Sequence, residues 1–236
     1  MFKIIHPFEN KMSRRETVLG LIYLPIHVIL LPLLLPKVFE SLGLSGTETM
    51  NLVYYGIGVV FCFVCLWAFL RGGYDGLLDK LGFCVVSFLM ALGLDYILSY
   101  AVSLLLMDYS AAEAAAEVDL EEIAIVSSGV IRAAGIFMVP IVDQALFQGV
   151  IFGSLHKKGR LVAYVTTIVL FAAAHTWQYV ATSGDWGYWV YALQYVPFSI
   201  AACWLYERTN TVWLPIGFHM MINAMSFAVE NMLASM

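Results

Sequence analysis

A few polar side chains in an otherwise apolar sequence set the chemistry to be explained. They are Asp143, His175 and His219, with Asn223 four residues after the last. A carboxylate can act as general base on water, and an imidazole can share that proton. His219 and Asn223 are i and i+4, so they fall on one helix face and offer donors to a developing oxyanion. Together these groups are an inventory for hydrolysing an amide. Gln144 and Gln148 lie beside Asp143 and read as supporting residues, an i and i+4 amide pair.

The elements that must position them are membrane spans. The 236 residues are 61% hydrophobic and 12% charged, with a mean hydropathy of +0.84. Soluble domains use only ~45–50% apolar residues, so the composition implies an all-α, polytopic transmembrane bundle whose partner is the lipid bilayer. No nucleic-acid partner is expected. The net charge of -5 decides little, because the distribution of charge matters more in such proteins. Cys62, Cys65, Cys84 and Cys203 lie in or beside apolar runs and read as packing residues rather than a disulfide framework.

Apolar stretches of roughly 20 residues can cross a bilayer core of about 30 Å. Seven are expected: 18–38, 52–70, 83–107, a long region 123–155, then 161–180, 186–206 and 212–233. The first is too long for a cleaved signal and reads as an uncleaved span. Pro140 is expected to divide the fourth region, since proline removes a backbone donor and kinks helices. One membrane domain covers 1–236, with N-terminal helices in 18–122 and the motif-bearing core in 123–236.

Loop charge alternates. Basic residues gather before the first span, between the second and third, at His156–Arg160 and at Arg208, while the alternate loops are mostly acidic. The positive-inside rule then places the N-terminus in the cytoplasm and the C-terminus outside a cell membrane. The acidic stretch Ser110–Glu122 reads as a solvated connector. Counted at 1.5 Å per residue from the cytoplasmic ends of their spans, Asp143 lies ~18 Å deep and His175 ~21 Å. His219 and Asn223 lie ~10 and ~16 Å deep by the same count. Four polar groups at the middle level of three spans are expected to share one water-accessible cavity. A charge at that depth is costly, so an intramembrane Asp is a functional-site hypothesis by default.

Pro140 to Gly149, Phe171-Ala-Ala-Ala-His175 and His219-Met-Met-Ile-Asn223 resemble, in order, the three motifs of the CAAX-protease and bacteriocin-processing (CPBP) family. Those membrane-embedded glutamic endopeptidases carry Glu-Glu-x-x-x-Arg, Phe-x-x-x-His and His-x-x-x-Asn. The lead from Trp204 to Pro215 also resembles theirs. The resemblance implies an intramembrane endopeptidase with Asp143 as base, His175 as its partner, and His219 with Asn223 as oxyanion donors. It implies a peptide or membrane-protein substrate, lipidated in some members, and no cofactor. The first motif departs: Asp143 stands for the first Glu, Gln144 for the second and Gln148 for the Arg.

Other readings remain open beside this one. Asp143 can be a plain interhelical hydrogen-bonding group. The departing motif also fits a catalytically impaired relative acting as a binding or bacteriocin-immunity protein. A proton pathway would use the same three groups, though no repeat symmetry accompanies them. Zinc is a fourth reading, with Asp143, His175 and His219 as ligands, but no His-Glu-x-x-His is present. Asp95 lies at a similar depth and is left unassigned. His27 and Glu230 read as structural and His156 as solvated. The aromatic run 177–189 reads as an interfacial belt, and Gly149 with Gly153 as a surface for close helix approach.

Overall fold

A chain that crosses lipid must satisfy its backbone hydrogen bonds internally, and the described residues do so with helices alone. The structure, a computed structural model, describes residues 8–44, 46–107 and 129–234. Helix α1 is Arg14–Ser41, α2 Thr47–Cys65, α3 Trp67–Leu78, α4 Leu81–Leu106, α5 Gly129–Leu155 and α6 Arg160–Ser183. A 3-10 segment, Trp186–Gln194, leads into α7 (Tyr195–Thr209), and α8 is Trp213–Ala234. Helices α1, α2, α4, α5 and α6 are long and apolar enough to cross a membrane, and α8 holds a shorter apolar stretch, Trp213–Val229. Large apolar side chains such as Ile22, Val64, Leu105 and Leu161 cover the outside, as lipid contact requires. The chain is a helical membrane bundle. The acidic stretch Ser110–Glu122 and the side chain of Glu230 lie outside the described residues.

Besides the sixth expected span, 186–206, whose first nine residues are the 3-10 segment ahead of α7, two expected boundaries differ. The second span was placed at 52–70, but α2 stops at Cys65. Leu66 leaves the helical region (φ -115°, ψ 21°), and α3 begins anew. The new helix start needs an acceptor for its free N–H groups. Glu16 supplies it: Oε1 accepts from the Phe69 amide at 2.9 Å, while Oε2 closes the capping box with Ser13 at the start of α1. One buried carboxylate therefore caps two helices.

The second difference is at Pro140, which does not divide its region. Helix α5 runs unbroken from Gly129 to Leu155, with the proline buried inside it. Neighbouring helices and local adjustments of the backbone let buried helices carry proline. The irregularity comes later, as a π-helical segment at Ala145–Phe152, every residue of which is buried. Helix α5 is the centre of the bundle: half of its apolar window is buried, against 11% for α2. A second π segment, Ile26–Leu30, interrupts α1.

Close approach to α5 depends on small residues. A Cβ on Gly20 of α1 would collide with the γ-methyl of Val150. Valine is stiff at χ1 and cannot turn aside freely. Gly20→Ala is therefore expected to lower stability by ~1–3 kcal/mol through overpacking. Thermal unfolding in detergent measures this, and Val150→Ala in the same chain should recover most of the loss. Gly149 and Gly153 do admit close neighbours. These are Phe69 and Met12 at Gly149, and Asn10 of the N-terminal segment, rather than a helix, at Gly153.

The basic loops meet at one end of the bundle. Phe8 packs on His156, the Glu9 amide lies 3.4 Å from the Asn210 side-chain oxygen, and Lys11 reaches the Gly72 carbonyl. At that end the Glu207 carboxylate accepts from Arg160 at 2.7 and 2.8 Å and from the Tyr164 hydroxyl at 2.8 Å. His156 Nε2 stands 3.0 Å from the same carboxylate, so this residue, expected to be solvated, is held in a cluster. In the aromatic run 177–189, Trp186 is exposed, while Trp177, Tyr179, Tyr188 and Trp189 are half-buried.

Candidate active site

The site is built around successive residues of α5, each given to a different neighbour. Asp143 faces α6, where its Oδ2 lies 3.4 Å from His175 Nε2. The contact is within ion-pair range but not aligned as a hydrogen bond, and Oδ2 has no hydrogen-bond partner among the described residues. Gln144 faces α8 and its Nε2 lies 3.0 Å from His219 Nδ1. An amide nitrogen can only donate, so His219 Nδ1 is the acceptor and its proton sits on Nε2. Gln148 faces α7 and donates to Cys203 Sγ at 3.8 Å.

The Phe-x-x-x-His spacing on α6 has a physical reason. His175 Nδ1 lies 2.9 Å from the Phe171 carbonyl, one turn back, and the two rings pack at 4.2 Å. A carbonyl only accepts, so Nδ1 carries a proton and Nε2 is left for Asp143. Nε2 is thereby the ring nitrogen turned to Asp143, placed to exchange a proton with the carboxylate. The spacing on α8 is also used twice against α5, because Asn223 Nδ2 donates to the Gly135 carbonyl at 2.9 Å. His219 and Asn223 fasten α8 along α5.

Asp143 and His175 lie on the wall of a cavity of about 530 Å³, together with His27, Tyr54, Gln178 and Tyr195. The four polar groups expected to share one cavity do not: His219 and Asn223 are not on this wall. The expected Gln144–Gln148 pairing is also absent, each amide being bonded to another helix. The π segment beginning at Ala145 has wider i→i+5 turns, so the α-helical i and i+4 rule does not carry through it. Both amides keep an oxygen, Oε1, without a hydrogen-bond partner among the described residues.

Sequence reasoning missed the contribution of α1 and α2. His27, read as structural, lines the cavity, as do Tyr54 and Tyr55. A signal was there to use: nine residues past the start of its span, His27 lies ~14 Å deep, in the same band as the other groups. Asp95 is not on this wall, and its buried Oδ1 has no hydrogen-bond partner among the described residues. Zinc would need three converging ligands. Among the described residues no group of three His, Cys, Asp or Glu side chains is placed to hold a metal ion.

Beside the cavity is an apolar groove of about 370 Å³ between α1 and α6, lined by Leu24, Ile29, Leu170 and Trp177 among others. The two spaces share Val28, Phe147 and Ala174 as a common wall.

A helical membrane bundle that buries a carboxylate against an imidazole on the wall of an internal cavity belongs to the class of multi-pass membrane proteins with an intramembrane polar site. Residues 126–225 match a family model described as type II CAAX prenyl endopeptidase Rce1-like. That stretch contains all three motifs, and over it the chain is similar to the CAAX prenyl endopeptidases of the CPBP family. Searches of curated proteins and of solved structures returned no match.

Proposed function

We propose that this protein is an intramembrane endopeptidase that hydrolyses a peptide bond with water activated by Asp143. The observation that carries the proposal is Asp143 Oδ2 facing His175 Nε2 at 3.4 Å on the wall of the internal cavity. A water held by the carboxylate gives it a proton and attacks the scissile carbonyl carbon. The carbonyl π pair moves onto oxygen. As the tetrahedral intermediate collapses, the C–N bond breaks and the departing nitrogen takes the proton held by the Asp143–His175 pair. The oxyanion's electron pair re-forms the C=O bond, and the products are an amine and a carboxylic acid, which passes its proton to the amine or to solvent. His219 and Asn223 contribute by holding α8 against α5, and Gln144 and Gln148 fix the neighbours of Asp143.

The substrate reading is a lipidated peptide in a cell membrane. A polar scissile segment suits the cavity, and the adjoining apolar groove suits a hydrocarbon chain attached to it. The matched family's name, a prenyl endopeptidase, supports the same substrate class. The loop charges and the meeting of the basic loops at one end favour seven spans, with the N-terminus in the cytoplasm.

The test is cleavage of farnesylated and unmodified C-terminal peptides by purified protein in detergent, with Asp143→Ala as control. Cleavage that needs Asp143 supports the proposal. A wild-type protein that cleaves neither peptide, with activity appearing only when Asp143→Glu, Gln144→Glu and Gln148→Arg are combined, replaces it with a silenced relative. The water is activated here by a carboxylate, so a chelator is expected to leave the rate unchanged. A rate abolished by chelation and restored by zinc would assign the activation to a metal instead.

A further inference from the structure

We propose that the seam between α5, α6 and α7 is a binding site for one ordered water, which accepts from the hydroxyls of Thr167 and Ser199 and donates to Gln148 Oε1 and Cys203 Sγ. Its task is to position Asp143 against His175. The task rests on the peptidase reading; the water site itself does not.

Gln148, Thr167, Ser199 and Cys203 are each 0% exposed. Gln148 Oε1, Thr167 Oγ1 and Ser199 Oγ have no hydrogen-bond partner among the described residues. An unpaired buried polar group is costly, so three of them call for a common partner. Both hydroxyls are also turned away from their own helices. Elsewhere in the bundle a helical hydroxyl donates to the carbonyl one turn back, as Ser87 does to Phe83 at 2.8 Å, Thr176 to Ala172 at 2.9 Å and Thr209 to Leu205 at 2.7 Å. Thr167 and Ser199 forgo that bond.

The neighbours of these residues make them converge. On α6, Tyr164 and Phe171 flank Thr167 at i−3 and i+4 and share its face. The Tyr164 hydroxyl donates to Glu207 of α7 at 2.8 Å, and its ring meets Phe152 of α5 at 5.1 Å. The Phe171 ring packs on Phe147 of α5 at 5.1 Å and on Phe198 of α7 at 5.3 Å. Thr167 therefore faces α5 between Phe147 and Phe152, and α7 between Phe198 and Glu207. Gln148 lies in the first interval, Ser199 and Cys203 in the second. Cys203 joins them: the Gln148 amide nitrogen is 3.8 Å from its sulfur, and the Ser199 hydroxyl is a further neighbour, close but not aligned to bond it.

A water has two donors and two acceptor sites, which matches two hydroxyls, one amide oxygen and one sulfur. None of the four side chains is an anion, so the site suits a neutral guest rather than a cation. Gln148 stands where the CPBP motif carries the longer arginine, which leaves room for one water, ~30 Å³. Gln148 is five residues past Asp143 on α5, and Thr167 eight residues before His175 on α6. The water thus braces the same two helices that present the reacting pair, and a slip of ~1 Å there can cost on the order of a hundredfold in rate.

The experiment measures Tm in detergent for wild type, Thr167→Val, Ser199→Ala and the double variant, then kcat and KM on the farnesylated peptide for these and Thr167→Ser. A hydroxyl bonded to the water is lost at a cost, so each single variant should lower Tm by about 2–4 °C. Loss of either hydroxyl frees the water, so the double variant should fall short of the sum of the singles. Unchanged or raised Tm in the singles is the result for a hydroxyl with no partner replaced by an apolar group, and it overturns the water site. Strictly additive losses overturn a shared water. For the positioning task, kcat should fall by ~10–10²-fold in Thr167→Val with KM little changed, and Thr167→Ser, which keeps the hydroxyl, should stay near wild type. Equal kcat in all variants overturns that task. No cleavage by wild type overturns the peptidase reading and the task with it, while the Tm comparison still decides the water site.

Discussion

Replacing Asp143 by Asn is expected to lower kcat by ~10²–10⁴-fold while leaving the protein folded. Asparagine keeps the size and hydrogen-bonding reach of the side chain but cannot accept the proton of water. The packing around it should survive, because Oδ2 has no hydrogen-bond partner among the described residues to lose. His175 Nε2, 3.4 Å from Oδ2, faces the amide without clash. Asp143→Glu is the complementary measurement. It restores the methylene that the CPBP motif carries, and the adjoining cavity of about 530 Å³ gives the longer side chain room. A carboxylate displaced by ~1 Å can cost on the order of a hundredfold, so Asp143→Glu should fall between wild type and Asp143→Asn, or above wild type if aspartate is the misplaced base. Equal kcat for wild type and Asp143→Asn would remove Asp143 from the chemistry.

Gln148→Arg is expected to destabilise the protein by ~3 kcal/mol or more, the cost of an unpaired arginine at membrane depth. Gln148 is fully buried in the π segment of α5, bonded to Cys203, with no carboxylate among its hydrogen-bond partners. The family motif has arginine at this position, so a reading by resemblance alone predicts a neutral or beneficial change. Adding Gln144→Glu supplies a counter-charge on the same helix but removes the donor to His219 Nδ1, so only part of the loss should return. Thermal unfolding of the two single variants and the double variant gives the coupling between them, of order 0.5–3 kcal/mol for residues in one network. A stable Gln148→Arg protein would show that the site already holds a negative charge for it.

The difference between these two arguments marks what could be read in advance. Apolar composition and the length of the hydrophobic runs determined the all-α membrane bundle, because an unpaired backbone is not tolerated in lipid and only about 20 apolar residues are needed to cross it. The order and spacing of Asp143, Phe171, His175, His219 and Asn223 placed the polar groups on three helices. Depth counting placed them in one band. The Phe171-x-x-x-His175 spacing was legible only as a resemblance, and its i and i+4 relation is a carbonyl-to-ring hydrogen bond on one helix.

The tertiary structure decided everything that depends on how a helix is turned about its own axis. Rise per residue gives depth but not azimuth, and the π segments in α1 and α5 reset azimuth in a way no 3.6-residue pattern anticipates. Asp143 therefore faces His175, Gln144 faces His219 and Gln148 faces Cys203, although all three lie within six residues of one helix. His27 entered the cavity, and His219 and Asn223 left it, for the same reason: which wall a side chain joins is set by packing between helices distant in sequence. A chain of apolar spans specifies that its few polar groups will meet inside the membrane. Gly20 and Gly149, by letting particular helices approach, decide which of them meet.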